Sequence, residues 1–110
     1  MIPRRSKYNN KITSFDGHTF DSKKEANRYF ELKMLQAGGE ISNLELQPRI
    51  PLIVNGVKVA TYVGDFRYKT KSGDLVVEDV KSQATKTPVY NLKKKILATL
   101  TPPVLIKEVF

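Results

Sequence analysis

The sequence contains no cysteine and no tryptophan, and its only histidine is His18. Without thiols there is no disulfide framework, no thiolate zinc site and no cysteine nucleophile, and one imidazole cannot build a histidine-rich metal centre. Carboxylates are the metal ligands that remain. Long apolar runs are also missing: nothing approaches the length that crosses a bilayer, and the opening "MIPRRSKYNN" has no hydrophobic stretch behind its basic residues. These absences lead us to expect a cytoplasmic chain with no membrane partner. At 110 residues there is room for one modest core, so we read 1–110 as a single domain and 1–8 as a flexible basic arm.

Acidic residues are scarce as well. Eleven Asp and Glu stand against 19 Lys and Arg, for a net charge of +8 and a pI near 9.8. Such a balance attracts polyanions, of which nucleic acid is the commonest in that compartment. The basic residues gather in "PRRSK", "SKKEANR" and "NLKKKI". The last two fall on expected helices, where a solvated lysine face is routine and becomes a binding footprint only if the fold gives it a shared surface.

The segment "FDSKKEANRYFELKMLQAGGEI" predicts a helix from near Ser22 to Gly38 and Gly39, with Tyr29, Phe30, Leu32, Met34 and Leu35 on its buried side. Glu25 lies one turn before Tyr29, at the edge of that face. Ser22-x-x-Glu25 also reads as a capping box, which would direct the carboxylate back to the helix start. "EISNLELQPRIPLIV" reads as extended and broken at Pro48 and Pro51, and Asn55-Gly56 predicts a tight hairpin between "PLIV" and "VKVATYVGDFRY". A turn at "KSGD" then leads into "LVVEDVKS", completing a three-strand meander. Thr87 as cap and Pro88 at the first helical position open a second helix, with Val89, Leu92, Ile96, Leu97 and Leu100 on one face, and "VLIKEVF" is a closing strand. The order is helix, three strands, helix, strand: an α/β fold.

"LVVEDVKS" carries the chemistry. Alternate residues of a strand share a face, so Asp79 and Lys81 point one way and Glu78 the other. Asp65 belongs to the preceding strand and is brought beside Asp79 at one end of the sheet. Two carboxylates so placed repel each other unless a cation lies between them, and hard oxygen donors favour Mg2+ or Mn2+. Such an ion takes phosphate oxygens as further ligands and activates a bound water, which Lys81 would orient or help deprotonate. Glu25, on the helix packed against the sheet, could complete the metal shell. The plainer alternative is that Asp79 and Lys81 form a surface pair worth less than about 1 kcal/mol.

Glu25, Gly64-Asp65 and Asp79-Val80-Lys81 resemble the signature of the PD-(D/E)XK nuclease superfamily, with "GD" where "PD" is typical. More closely, "FDSKKEANRYFELKML", "GEISNLELQP" and "VVEDVKS" are similar to a family of small phage and prophage proteins catalogued as a domain of unknown function, over roughly residues 7 to 109. The resemblance implies a restriction-endonuclease-like αβββαβ core, a mixed sheet flanked by helices, as in Holliday-junction resolvases and the transposase subunit that nicks transposon ends. It also implies a magnesium-dependent endodeoxyribonuclease of phage recombination or DNA processing. Asp65 and Asp79 match the metal-binding acids, Lys81 the catalytic lysine and Glu25 the first-helix glutamate. Glu78 could serve as ligand if the strand register differed by one, but Asp79 fits the acid-x-lysine spacing and Glu78 does not. Gln83 and Tyr90 are too far apart for the Gln and Tyr that follow the lysine in some relatives and stay as candidates for substrate contacts, and Gln47, in "LELQP", is given no role beyond support of the site.

Lys86, Lys93, Lys94 and Lys95 are candidates for steering a DNA strand over the metal through phosphate contacts, and Arg4 and Arg5 for an arm doing the same. No helix-turn-helix, zinc finger or aromatic platform accompanies them, so recognition of branches or junctions is expected rather than base reading. Cutting two strands with one small site points to a two-fold homodimer. The alternatives are a non-catalytic nucleic-acid-binding module on the same fold and an architectural or partner-binding protein of the phage particle.

Overall fold

The computed structural model of the chain describes residues 13–81 and 86–110. Arg4, Arg5, the expected basic arm and Gln83 lie outside the described residues. The first described element was not expected: strands β1 (Thr13–Phe15) and β2 (His18–Phe20) pair antiparallel. Their two-residue loop is Asp16-Gly17, with φ of 55° and 77°. That loop conformation matches the twist of a hairpin, and Asp-Gly is one of the few pairs that adopts it cheaply.

Helix α1 (Lys23–Ala37) begins where Ser22 accepts a hydrogen bond from the Glu25 backbone N–H, and ends at Gly38. Strands β3 (Ile41–Leu46), β4 (Arg49–Val54), β5 (Val57–Val63), β6 (Phe66–Thr70) and β7 (Leu75–Val80) follow, then α2 (Pro88–Ala98) and β8 (Ile106–Val109). The central sheet has the order β3-β6-β7-β8, with the first two pairings antiparallel and β7 parallel to β8. Taken as α1, β3, β6, β7, α2 and β8, the core is the expected helix, three-strand meander, helix and strand.

The meander is built from different strands than the sequence implied. The long strand expected over "VKVATYVGDFRY" breaks at Gly64-Asp65, and the Asn55-Gly56 hairpin of β4 and β5 leaves the sheet as a separate two-stranded ribbon. Gly64 is closely packed at the break. A Cβ on Gly64 would lie 3.1 Å from Val77 Cγ1 and 3.4 Å from Pro48 Cγ, so a side chain here would press its neighbours aside and glycine fits the crossing without that adjustment.

The sheet separates two apolar clusters. On one side α1 packs Ala26, Tyr29 and Leu32 against Phe20, Ile41, Phe66 and Tyr68. On the other, Tyr90 and Leu97 of α2 meet Val77 and the inward residues Ile50, Leu52 and Tyr62 of the ribbon. Both helices bury only part of the face expected, Tyr29 and Leu32 in α1 and Leu97 with Ile96 and Leu100 at α2. Phe30, Met34 and Leu35 of α1 and Val89 and Leu92 of α2 are exposed. In α1 the inward stripe is 25, 26, 29 and 32, and at about 100° per residue positions 30 and 34 fall away from it. At α2 Leu97 is buried and Ile96 and Leu100 pack beside it as expected, and Tyr90 completes the face in place of Val89 and Leu92. Among the described residues no helix is long and apolar enough to cross a membrane.

Candidate active site

Strand alternation sends the two acids of "EDV" to opposite sides of the sheet. Glu78 faces α1 and is fully buried. Arg28 Nε and Nη2 each donate to its carboxylate at 2.7 Å, and the Tyr68 hydroxyl donates to it as well. Burial works to raise the Glu78 pKa, and the Arg28 and Tyr68 hydrogen bonds outweigh it, holding the group below the ordinary glutamate range. A carboxylate so fully bonded is a structural ion pair with little capacity for another ligand.

Asp79 faces α2. One of its oxygens accepts from the Tyr62 hydroxyl of β5, and the other lies 3.5 Å from Lys81 Nζ. Burial pushes the Asp79 pKa up to about 6, with Lys81 opposing the rise and Glu108 adding to it. The Lys81 ammonium stands 4.0 Å from the centroid of the Tyr90 ring, a cation–π contact that fixes the side chain beside Asp79. Tyr90 is itself held: its hydroxyl donates to Glu108 Oε2 at 2.8 Å, and Glu108 also pairs with Lys86 and Lys94.

Asp65 sits at the break between β5 and β6. Its backbone N–H donates to the Glu78 carbonyl at 3.0 Å, and its carboxylate accepts the Val80 N–H at 2.7 Å. This register puts it across from Asp79 at the end of the β6–β7 pair. Burial raises the Asp65 pKa, against the Val80 hydrogen bond and Lys81.

Glu25 joins them from α1. Ser22 caps the helix, but the reciprocal half of the capping box is not made: among the described residues the Glu25 carboxylate accepts no hydrogen bond. It lines a cleft of about 230 Å3 together with Asp65. Burial, then the charges of Asp65, Asp21 and Asp79, push its pKa up to about 8, with Lys81 opposing.

The structure therefore draws Glu25, Asp65, Asp79 and Lys81 into one electrostatic neighbourhood. Glu25 and Asp65 open on the cleft, and Asp79 and Lys81 lie on the α2 side of β7. Among the described residues no three His, Cys, Asp or Glu side chains are gathered into a group able to hold an ion. The donor chemistry nonetheless fits a hard divalent cation. Magnesium takes one or two protein carboxylates and completes its octahedron with water and phosphate oxygens, and Glu25 with Asp65 forms such a pair, both members raised in pKa by burial.

Sequence reasoning missed Asp21, a fourth acid felt by both Glu25 and Asp65, Tyr62, which holds Asp79, and the role of Tyr90, singled out only as a candidate substrate contact, in holding Lys81. Tyr62 alternates inward on β5 and Tyr90 lies one turn inside the helix after the lysine, but neither position says what the hydroxyl will meet. The lysines expected to bind DNA are unequal. Lys93 Nζ donates to the Thr61 carbonyl at 3.2 Å, Lys86 and Lys94 share Glu108, and Lys95 is exposed.

Fold and site together define the class: an α/β protein with buried acids and a lysine at the end of a mixed sheet. The chain belongs to the family described as "protein of unknown function (DUF1064)", whose pattern it matches over residues 5–106. No curated protein and no solved structure matches it.

Proposed function

We propose that the protein is a metal-dependent DNA endonuclease of the PD-(D/E)XK type, selective for branched or junction DNA and serving phage recombination or DNA processing in the bacterial cytoplasm. One observation carries this reading: three acids from separate segments all have raised pKa values around a lysine that opposes each rise, with an open cleft at two of them. Stability alone gives no reason to bury mutually repelling carboxylates, whereas a divalent ion and a phosphodiester together supply the missing charge balance.

In this reading Glu25 and Asp65 hold Mg2+ or Mn2+, with Asp79 available once Tyr62 yields its oxygen. The ion, when bound, supplies Lewis acidity at the phosphate and lowers the pKa of a water. Lys81, held over Tyr90, places positive charge beside the phosphorane-like transition state and orients the attacking water. Lys86, Lys94 and Lys95 border the α2 side, where phosphates would run. A two-fold pair of protomers would address both strands of a duplex.

The test incubates the protein with junction, flap and linear duplex DNA, with and without magnesium or manganese, beside Asp65→Ala, Asp79→Ala and Lys81→Ala. Divalent-dependent strand scission that disappears in all three variants is expected. Scission that persists in Asp79→Ala and Lys81→Ala would overturn the assignment, and binding without scission would leave a nucleic-acid-binding module.

A further inference from the structure

The cleft above Glu25 and Asp65 has walls that phosphodiester hydrolysis does not require. One is the β1–β2 hairpin, which contributes His18 and Phe20; the other is Gln47, at the corner between β3 and β4. The His18 ring stands edge-on to Tyr29, with centroids 5.6 Å apart and planes at 73°, and the residue is otherwise exposed. Phe20 packs 5.1 Å from the same tyrosine. An aromatic ladder thus rises from the core to the cleft mouth and ends in an imidazole.

Gln47 is unusual in its backbone. Its φ is 50°, in the left-handed region. Asp16, Asn43 and Asn55 share that conformation, but all three are residue types that tolerate it; Asp16 and Asn55 occupy two-residue hairpin loops beside glycines, and Asn43 lies at the irregularity of β3. Gln47 is in no such loop. Its N–H donates to the Asp65 carbonyl at 3.0 Å, so the strained corner is tied to one of the site's acids. Glycine would meet the backbone requirement at less cost. What glycine lacks is the side-chain amide, which makes no hydrogen bond to any described residue and lies at the cleft.

We propose that this cleft is a subsite for one unpaired nucleotide next to the cleaved phosphate. His18 stacks on the base and the Gln47 amide hydrogen-bonds its edge, while Glu25 and Asp65 on the floor remain for the metal. A base inside a duplex has both faces covered and its pairing edge occupied, so only a nucleotide released at a branch, flap or end can enter. Selection of branched DNA then follows without any base-reading helix. The inference rests on the nuclease reading for its placement beside a scissile bond, but its test is of binding alone.

That test measures metal-free binding, in chelator, of flap DNA carrying 2-aminopurine at the branch nucleotide, against a fully paired nicked duplex of equal length. The parent protein is expected to prefer the flap and to change the 2-aminopurine emission. His18→Ala and Gln47→Gly are each expected to weaken flap binding about tenfold and abolish the emission change, as loss of a base stack or an amide contact does. Duplex affinity, set by lysine–phosphate contacts, should move by less than about twofold. His18→Phe, which keeps a ring, should restore flap binding. Gln47→Gly relieves the left-handed residue, so this variant is expected to fold, and thermal melting checks it. Equal affinity of the parent for flap and duplex would overturn the proposal, as would flap affinity and emission unchanged in folded His18→Ala and Gln47→Gly. Since no scission is read, loss of flap preference in the variants supports the subsite even if the nuclease reading fails.

Discussion

Glu78 and Asp79 are sequence neighbours, both buried, at 0 % and 4 % exposure, and their duties are opposite. Glu78 is bound by a guanidinium and a tyrosine, and removing that guanidinium strands a charge in the core. Arg28→Ala is therefore expected to lower stability by about 3–5 kcal/mol, as for other broken buried pairs, in a urea titration followed by circular dichroism. Asp79 carries a raised pKa, so its charge is a liability to folding. Asp79→Asn should leave stability at pH 8 unchanged or higher while abolishing scission. Lys81→Ala should lower kcat on flap DNA by about 10²-fold or more, the usual scale for a lost acid–base or charge-stabilising group, in single-turnover assays with magnesium. Two adjacent carboxylates do not by themselves announce this division. Strand parity does, because simple alternation assigns Glu78 to one side of the sheet and Asp79 with Lys81 to the other.

At the scale of elements, the sequence made legible what depends on local chemistry. Ser22 and Thr87 cap the helices as expected, Asn55-Gly56 turns a hairpin, and β7 faces as its alternation dictates. What escaped depends on tertiary packing. The close approach of Val77 and Pro48 to Gly64 at the break exists only in the folded chain, and nothing within "TYVGDFRY" marks the break beyond the glycine. Both helices carry apolar residues around more than half their circumference, so periodicity could not choose the buried stripe. The β1–β2 hairpin did have a signal, Asp16-Gly17 between two short β-prone triplets, which the stronger helix start beside it masked. The exclusion of Val89 and Leu92 from the buried face of α2 is testable. Leu97→Ala removes a fully buried side chain and should cost about 2–5 kcal/mol; Leu92→Ala, 58 % exposed, should stay within about 0.5 kcal/mol of the parent. Equal losses at the two positions in chemical denaturation would show the face to be as the sequence alone implied.

For the whole molecule, the acids couple stability to pH. Glu25 and Asp79 have folded pKa values raised from 4.5 to about 8 and from 3.8 to about 6. Each contribution is complete below the unfolded value and is lost as pH rises through the folded one, because the unfolded chain releases the proton first. Metal-free protein should accordingly melt at falling temperature from pH 4.5 to pH 8. Glu25→Gln should flatten the upper part of that slope and raise the melting temperature at pH 8 by about 5 °C. Magnesium should reverse the decline in the parent and have less effect in Glu25→Gln, as differential scanning fluorimetry would record. The partition of the interior into two apolar clusters has a consequence of its own. Glu25 rides on one half and Lys81 is steadied by the other, so the acids and the ammonium keep company only while both halves stay docked on the sheet. Opening of the α2 half alone, visible as early amide exchange in that helix and the ribbon, would disarm the site and leave the rest of the chain folded, making readiness for chemistry a property of a seam.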